Sequence, residues 1–188
     1  MKLLLSMNLM LFSFIPLFAQ GYEDDRISWN ESRPAGYLTI RNDLNHQDYI
    51  LGTELGMVNA RRNLAAFITF DARPYRKRIL QYQGNNMFFQ FREERYFIGA
   101  GAEYMRKIKE LPLAAFIQLN GLYTWGQYAG TDRKPDQGWE IVPRIGVALD
   151  LQSYGWLKVG YTYLDARSYR LDKHRLYIAI TGFLSKGR

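Results

Sequence analysis

Apolar and polar residues alternate along most of the chain, and the alternation is clearest from residue 138 to residue 165. The even-numbered residues at the start of this stretch are mostly charged or very small. The odd-numbered residues are all apolar: Trp139, Ile141, Pro143, Ile145, Val147, Leu149 and Leu151. A period of two is typical of a β-strand with one apolar face and one polar face. The alternation predicts strands and leaves open whether the apolar face points into a core or out to lipid.

Short alternating runs separated by turn-like clusters continue through the chain. They cover residues 35–42, 48–59, 63–73, 76–83, 86–92, 95–107, 112–125, 138–151, 154–165 and 173–184, which makes ten strands. Merging 76–92 into one bent strand, and treating 35–42 as an extension, gives eight. Counted back from the C-terminus, long connections at 166–172 and 126–137 alternate with short ones at 152–153 and 108–111. Short turns on one side and long loops on the other are typical of outer-membrane barrels.

The first nineteen residues have the features of a secretory signal peptide. A basic Lys2 precedes a short apolar stretch, and Ala19 is suited to a position before the cleavage site. We therefore divide the chain into a signal peptide at 1–19, a polar lead-in at 20–33 and a barrel at 34–188. Because a signal peptide implies export, nucleic acid is excluded as a partner.

Charge and cysteine content narrow the class further. The chain has 25 Lys and Arg against 18 Asp and Glu and no Cys, so its net charge is +7, and loss of Lys2 with the signal leaves +6. An exported chain without Cys has no disulfides, so packing and hydrogen bonds must hold the fold. The excess of basic residues favours binding to anionic lipid head groups or acidic glycans.

The residues on the polar faces favour an apolar face that points out to lipid. Gly and Ala alternate there with isolated charges, as in Gly99, Gly101 and Glu103, which indicates a narrow interior and not an open solvent face. Aromatic residues lie near the ends of the runs, where head groups would contact them. These are Tyr49, Tyr96, Tyr104, Tyr123, Trp125, Trp139, Trp156, Tyr161 and Tyr163. The expected fold class is all-β, a closed antiparallel up-and-down transmembrane β-barrel of 8–10 strands.

Three segments of the C-terminal half resemble the barrel repeats of small bacterial outer-membrane proteins of the OmpA/OmpX-like class. They are RYFIGAGAEYMRK, PRIGVALDLQSYGWLKVGYTYLD and RLYIAITGF. The resemblance covers residues 95–184 well and 35–92 poorly, and it implies a barrel fold and an outer-membrane location. In that class the last strand ends on an aromatic residue that the assembly machinery recognises, and Phe183 is the candidate here. The FAQ end of the signal is similar to those common in Bacteroidota.

Charges on the inward face form the most specific candidate site. We expect a network in the lumen made of Glu54, Asp71, Glu103, Glu140, Arg144, Asp150 and Lys158. Charges in so narrow a space must pair, because an isolated buried charge costs several kcal/mol. The network is interpreted as a plug that stiffens the barrel, with a narrow polar channel as the alternative.

A basic cluster is the second candidate site. It comprises Arg73, Arg76, Lys77 and Arg78, and it could contact lipopolysaccharide phosphates or a partner surface. The expected partners are outer-membrane lipid, lipopolysaccharide and other outer-membrane proteins.

Only two imidazoles are available for acid–base chemistry, His46 and His174, and each has an Asp within two residues. Nothing in the sequence places a nucleophile beside either of them. No phosphate loop or metal-ligand pattern is present, so we expect no enzyme, cofactor or metal. The sequence favours a structural or interaction protein of the cell outer membrane, such as an accessory subunit of a larger outer-membrane complex. The alternatives are a rim-active enzyme on lipid A or peptides, and a soluble exported lipocalin-like ligand-binding barrel.

Overall fold

The structure is a computed structural model. It describes residues 34–46, 48–83, 87–108, 111–129, 132, 134–151, 155–166 and 173–184, without the side chains of 74–83, 87–92 and 129. The predicted signal peptide at 1–19 and the lead-in at 20–33 lie outside the described residues.

Eight antiparallel strands form a closed barrel, each paired with the next in sequence and the last paired with the first. The strands are β1 Ala35–Leu44, β2 Tyr49–Val58, β3 Leu64–Gln83, β4 Met87–Lys107, β5 Leu113–Ala129, β6 Gly138–Asp150, β7 Gly155–Tyr163 and β8 His174–Phe183. The closed antiparallel all-β prediction is confirmed. The described part of the chain has no helix that is long and apolar enough to cross a membrane.

The ten-strand count is wrong, and so is the way in which we merged runs to reach eight. Residues 63–73 and 76–83 belong to one strand, β3, and residues 86–92 and 95–107 to another, β4. The interruption after Arg73 is a register shift in the β3–β4 ladder and not a turn. The charged run 92–95 looked like a connection because charges are common in turns, but it continues β4. The stretch 35–42 is a full strand that closes the barrel.

Strands β3 and β4 extend beyond their other neighbours as a two-stranded ribbon. Pairing of β2 with β3 runs from Val58↔Ala65 to Leu51↔Ala72, whereas β3 and β4 remain paired as far as Gln83↔Met87. At 20 and 21 residues these strands are about twice as long as the ~9–11 residues that a tilted strand needs to cross a bilayer. The ribbon therefore projects past the barrel wall on the side of the 130–137 and 164–173 connections.

The two faces of each strand have opposite surroundings. On β6, Ile141, Ile145 and Val147 are 72%, 58% and 47% exposed, whereas Val142 and Ala148 are fully buried. Outward apolar residues recur around the wall, for example Leu55, Ile68, Ile98, Ile117, Val159 and Leu176. The prediction of an outward apolar face is confirmed, and a lipocalin-like arrangement with that face turned inward is not the one observed.

We expect Ile145→Arg and Val147→Arg each to destabilise the barrel by about 2–4 kcal/mol, because Arg on the lipid face costs that much at the middle of the bilayer. The measurement is the unfolding midpoint of protein folded into lipid vesicles, in urea or guanidinium. Ile145→Leu is the matched control and should keep the midpoint of the parent. An Arg variant as stable as Ile145→Leu would contradict a lipid-facing position.

Candidate functional site

Side chains fill the lumen in layers. The inner end, where β1 begins, β8 ends and the short turns lie, is closed by an apolar cluster that includes Tyr37, Phe67, Met105, Phe116, Trp156 and Tyr177. A smaller apolar cluster lies nearer the outer end and consists of Ile50, Phe97, Leu122, Val142, Leu164 and Ala166. Charged side chains occupy the levels between and above these clusters. The lumen is thus an alternation of apolar and ionic layers.

The central charge cluster consists of Arg41, Asp43, Glu54, Asp71 and Arg144, which come from β1, β2, β3 and β6 and are all at least 98% buried. The Arg41 guanidinium contacts the carboxylates of Asp43 and Asp71, and its Nε lies 3.0 Å from Glu54 Oε1. A single cation therefore faces three carboxylates.

Arg144 is the second cation of the central charge cluster. Its guanidinium lies 3.3 Å from Asp43 Oδ2 and 3.7 Å from Glu54 Oε1, and its Nε donates to Thr162 Oγ1. Thr162 Oγ1 in turn donates to Asp43 Oδ1 at 2.6 Å, and Gln118 donates to Glu54 Oε1 at 2.8 Å. These neutral groups add hydrogen bonds to the carboxylates of Asp43 and Glu54 beyond those of the two guanidinium groups.

A glycine provides the space for the Arg41 guanidinium. A Cβ at Gly52 would lie 2.4 Å from Asp71 Oδ1 and 2.8 Å from Arg41 Cζ. Any larger residue at position 52 would push the guanidinium away from the Asp71 carboxylate. The glycines and alanines of the inward face thus make room for long charged side chains.

The outer charge cluster consists of Asp48, Arg73, Glu93, Arg95 and Arg175. Asp48 Oδ2 forms an ion pair with Arg73 Nε at 2.6 Å, and Asp48 Oδ1 accepts a hydrogen bond from Arg175 at 2.8 Å. Glu93 pairs with Arg95 at 2.6 Å, and Arg73 lies 3.5 Å from its other oxygen. Arg95 also donates to the Asp136 carbonyl, which ties the 130–137 connection to the barrel. These contacts close the outer mouth.

The inner ion pair joins Lys158 to Glu103, with Nζ 2.6 and 2.8 Å from the two carboxylate oxygens. The ammonium also lies 5.7 Å from the centre of the Phe116 ring and 5.3 Å from that of Trp156. Below it, the Arg62 guanidinium lies 4.5 Å from the centre of the Phe183 ring. The charge of Lys158 is therefore compensated by one carboxylate and two aromatic faces.

The buried charges balance among the residues whose side chains the structure describes. Seven are cationic, namely Arg41, Arg62, Arg73, Arg95, Arg144, Lys158 and Arg175. Seven are anionic, namely Asp43, Asp48, Glu54, Asp71, Glu93, Glu94 and Glu103. Because these charges cancel, the +7 excess of the whole chain is carried by residues outside this set.

The structure brings together five of the seven residues predicted for the lumen network. Glu54, Asp71 and Arg144 lie in the central charge cluster, and Glu103 and Lys158 form the inner ion pair. Glu140 and Asp150 are partly buried near the two ends of β6.

Sequence reasoning missed Arg41, Asp43, Asp48, Glu93, Arg95 and Arg175. The inward position of Arg41 and Asp43 follows from the alternation of β1, which we had treated as an optional extension. Glu93 and Arg95 continue the inward alternation of β4 from Phe97, but we had interpreted 93–94 as a connection between two strands.

The predicted basic cluster is divided by the fold. Arg73 is 98% buried and ion-paired with Asp48, so its guanidinium belongs to the lumen and not to an anionic-surface contact. Arg76, Lys77 and Arg78 lie on the projecting part of β3, and their side chains are outside the described residues.

The two histidines lie at the same, outer end of the barrel. His46 is exposed in the β1–β2 connection, while His174 begins β8 on its outward face, hydrogen-bonded to the Tyr161 hydroxyl and packed on Tyr163. Asp48, the acid nearest to His46 in our interpretation, is held by two arginines.

Asp172, the acid within two residues of His174, lies outside the described residues. The carboxylate of Asp165 in the β7–β8 connection accepts a hydrogen bond from Lys173 at 2.8 Å. This hydrogen bond raises the pKa of the Lys173 ammonium. Both side chains are about half exposed, so the pair is a surface ion pair.

Eight of the nine aromatic residues predicted at the head-group boundary face outward, and Trp156 is the exception. Trp156 was predicted at the head-group boundary, but it is 99% buried in the lumen against Phe183. Its even position on β7, shared with Lys158, already indicated the inward face. Phe183 ends β8 as expected, but its ring packs inside, between Trp156 and the Arg62 guanidinium.

A cavity of about 10 Å³ lies among Asp43, Asp71, Arg144, Thr162 and the outer apolar cluster. This is enough for about one water molecule. Among the described residues, no group of three or more acidic, His or Cys side chains is placed to hold a metal ion.

Comparison with known proteins supports the fold. No family model matches the chain, and no curated protein matches its sequence. Neisserial surface protein A superposes with a TM-score of 0.51 at 12% identity, over 80% of this chain and 96% of that one.

Ail of Yersinia pestis, in complex with the heparin analogue sucrose octasulfate, gives a TM-score of 0.46 at 9% identity, over 80% of this chain and 97% of that one. The chain has the fold of the small bacterial outer-membrane β-barrels, with eight strands. These neighbours give no support to an origin in Bacteroidota.

We expect Arg41→Met to destabilise the barrel by about 3–5 kcal/mol, because it leaves three buried carboxylates without their shared cation. Equilibrium unfolding in lipid vesicles measures the change. Lys173→Met, which breaks the exposed pair with Asp165, is the control and should leave the unfolding midpoint unchanged. Equal midpoints for both variants would show that the central charge cluster does not stabilise the barrel.

Proposed function

We propose that this protein is a structural and interaction protein of the outer membrane, whose barrel is closed by paired charges and serves as an accessory subunit of a larger outer-membrane complex. The observation that carries the proposal is the combination of an outward apolar band with an ion-paired lumen. An apolar outer surface is stable only in lipid or against another protein. A lumen filled with paired charges offers no wide path to a solute.

The layered lumen supports a closed barrel. Eight strands enclose only enough space for their own side chains. The inner end is filled by an apolar cluster, the outer mouth by the outer charge cluster, and the cavity between has room for about one water. Ion conduction would require several buried ion pairs to separate at once. Stiffening of the wall is the role that this arrangement supports best.

The outer end supports a role in contacts. The connection between β1 and β2 is short, and the projecting feature is the β3–β4 ribbon with Arg76, Lys77 and Arg78 on one of its strands. Because the buried charges cancel, the basic excess is available to anionic partners outside the lumen. Lipopolysaccharide phosphates and the acidic surface of a neighbouring protein are the partners that this charge suits.

We expect the mature chain to fractionate with outer membranes and to change its gel migration on boiling, because closed barrels resist detergent until heated. In planar bilayers the purified parent should show no steady conductance steps, because the apolar cluster at the inner end and the outer charge cluster both close the lumen. Recovery as a soluble periplasmic monomer would contradict the location. Open-channel currents from the parent would contradict the closed lumen.

The proposal includes no catalytic activity. His46→Ala with His174→Ala removes both imidazoles, and a general-base mechanism at the rim would then slow by about 10²–10⁴-fold. We expect the lipid A profile and the surface proteolysis of cells with this double variant to equal those of cells with the parent, at matched amounts of folded protein. Lys173→Ala serves as a neighbouring control. A lipid A change in the His double variant alone would make the rim-active enzyme the better assignment.

A further inference from the structure

Outward aromatic residues are concentrated at one end of the barrel. Among the described residues, those at or near the outer end are Tyr49, Phe70, Tyr96, Tyr123, Trp125, Trp139, Tyr161 and Tyr163. At the inner end the only outward aromatic residue of the described part is Tyr104. Aromatic girdles that anchor a barrel flank its apolar band at both interfaces. Anchoring alone therefore does not account for the one-sided distribution.

Four of these rings form a continuous aromatic ladder across three strands, defined here as Tyr96, Trp125, Tyr123 and Trp139. Tyr96 and Trp125 are direct cross-strand partners with stacked rings 5.9 Å apart. Trp125 stacks on Tyr123 at 6.3 Å, and Tyr123 meets Trp139 of β6 edge-on at 5.7 Å. Trp139 at the end of the ladder is 71% exposed. Mutual packing fixes the rings and leaves aromatic faces open to the outside.

Polar groups lie directly above the aromatic ladder, one outward position further along the same strands. Gln127 follows Trp125 on β5, and Glu94 precedes Tyr96 on β4. The Gln127 amide donates to Glu94 Oε2 at 2.7 Å, which fixes both groups at this level. The exposed Gln127 amide above the open ring faces can exchange hydrogen bonds with hydroxyl groups that rest on the rings, while Glu94, which is 92% buried, holds the amide in place.

We propose that the aromatic ladder, with Gln127 and Glu94, is a binding site for the saccharide head group of a glycolipid in the outer leaflet. The C–H faces of a pyranose ring pack on aromatic faces, while its hydroxyls need hydrogen-bonding groups at the rim. The site offers both features in the correct order along the strand. Its position at the end of the apolar band is the level of the head groups.

The outer leaflet holds sugar-bearing lipopolysaccharide, whereas the inner leaflet holds phospholipid. This difference accounts for the concentration of outward aromatic rings at the outer end of the barrel. The inference rests on the proposed outer-membrane location. It adds to that proposal a defined site and a ligand class.

The test uses the full barrel, folded in detergent, titrated by calorimetry with deacylated lipopolysaccharide, which keeps the sugars and phosphates but has no acyl chains. Trp125→Leu with Trp139→Leu preserves an apolar surface and removes two rings. We expect this double variant to bind about tenfold more weakly than the parent, which corresponds to about 1.4 kcal/mol. Tyr104→Leu, which removes the outward ring at the inner end, should bind as the parent does. Glycerol phosphate, which mimics a phospholipid head group, should bind to none of them.

Unchanged affinity in the double variant, an equal loss in Tyr104→Leu, or binding of glycerol phosphate with the same dependence on the rings would overturn the saccharide site. If the double variant loses its heat-modifiable migration, Trp139→Leu alone replaces it, because that ring is the most exposed and the least involved in packing. A parent that is heat-modifiable and located in the outer membrane but binds no sugar refutes this inference alone. A parent that fails to reach the outer membrane refutes the proposed function.

Discussion

The requirement that every charge in a narrow lumen must have a partner governs the rest of this structure. The central charge cluster alone has five ionised side chains within contact of one another, all at least 98% buried. An isolated charge in such a place costs several kcal/mol, whereas a paired and hydrogen-bonded one can be retained. Small residues, hydroxyls and amides on the inward face follow from that requirement. Gly52 provides the space for Arg41, and Thr162 and Gln118 donate further hydrogen bonds to Asp43 and Glu54.

The outward face of each strand has the opposite requirement, because charged side chains are unfavourable in the lipid interior. Alternation with a period of two places these two requirements on neighbouring residues of one strand, as in Arg144 and Ile145. The strands could be predicted because neighbouring residues differ sharply in polarity. Where the contrast weakens, as in the charged run 92–95, prediction failed, since those residues lie past the apolar band and both faces there are polar.

The fold class, the outward face and five members of the lumen network could be predicted from local pattern alone. The identity of ion-pair partners could not be predicted, because the pairs join residues that are far apart in sequence, such as Glu103 and Lys158. The register between paired strands could not be predicted either. A bulge after Arg73 and a turn after Arg73 have similar local sequences, and only the ladder with β4 distinguishes them. Trp156 was predicted on the wrong face because we gave its aromatic side chain more weight than its position on the strand.

The seam between the first and the last strand gives the charge network a role in assembly. Thr39 of β1 bonds to Thr181 of β8, Arg175 of β8 reaches the Asp43 carbonyl and the Asp48 carboxylate, and Asp43 itself is bound by groups of β6 and β7. An open sheet would separate Arg175 at one edge from its partners, the Asp43 carbonyl and the Asp48 carboxylate, near the other edge. Closure of the barrel therefore satisfies many electrostatic bonds in a single step, and a partly closed intermediate gains few of them. The full set of lumen contacts thus forms only in the complete ring of eight strands.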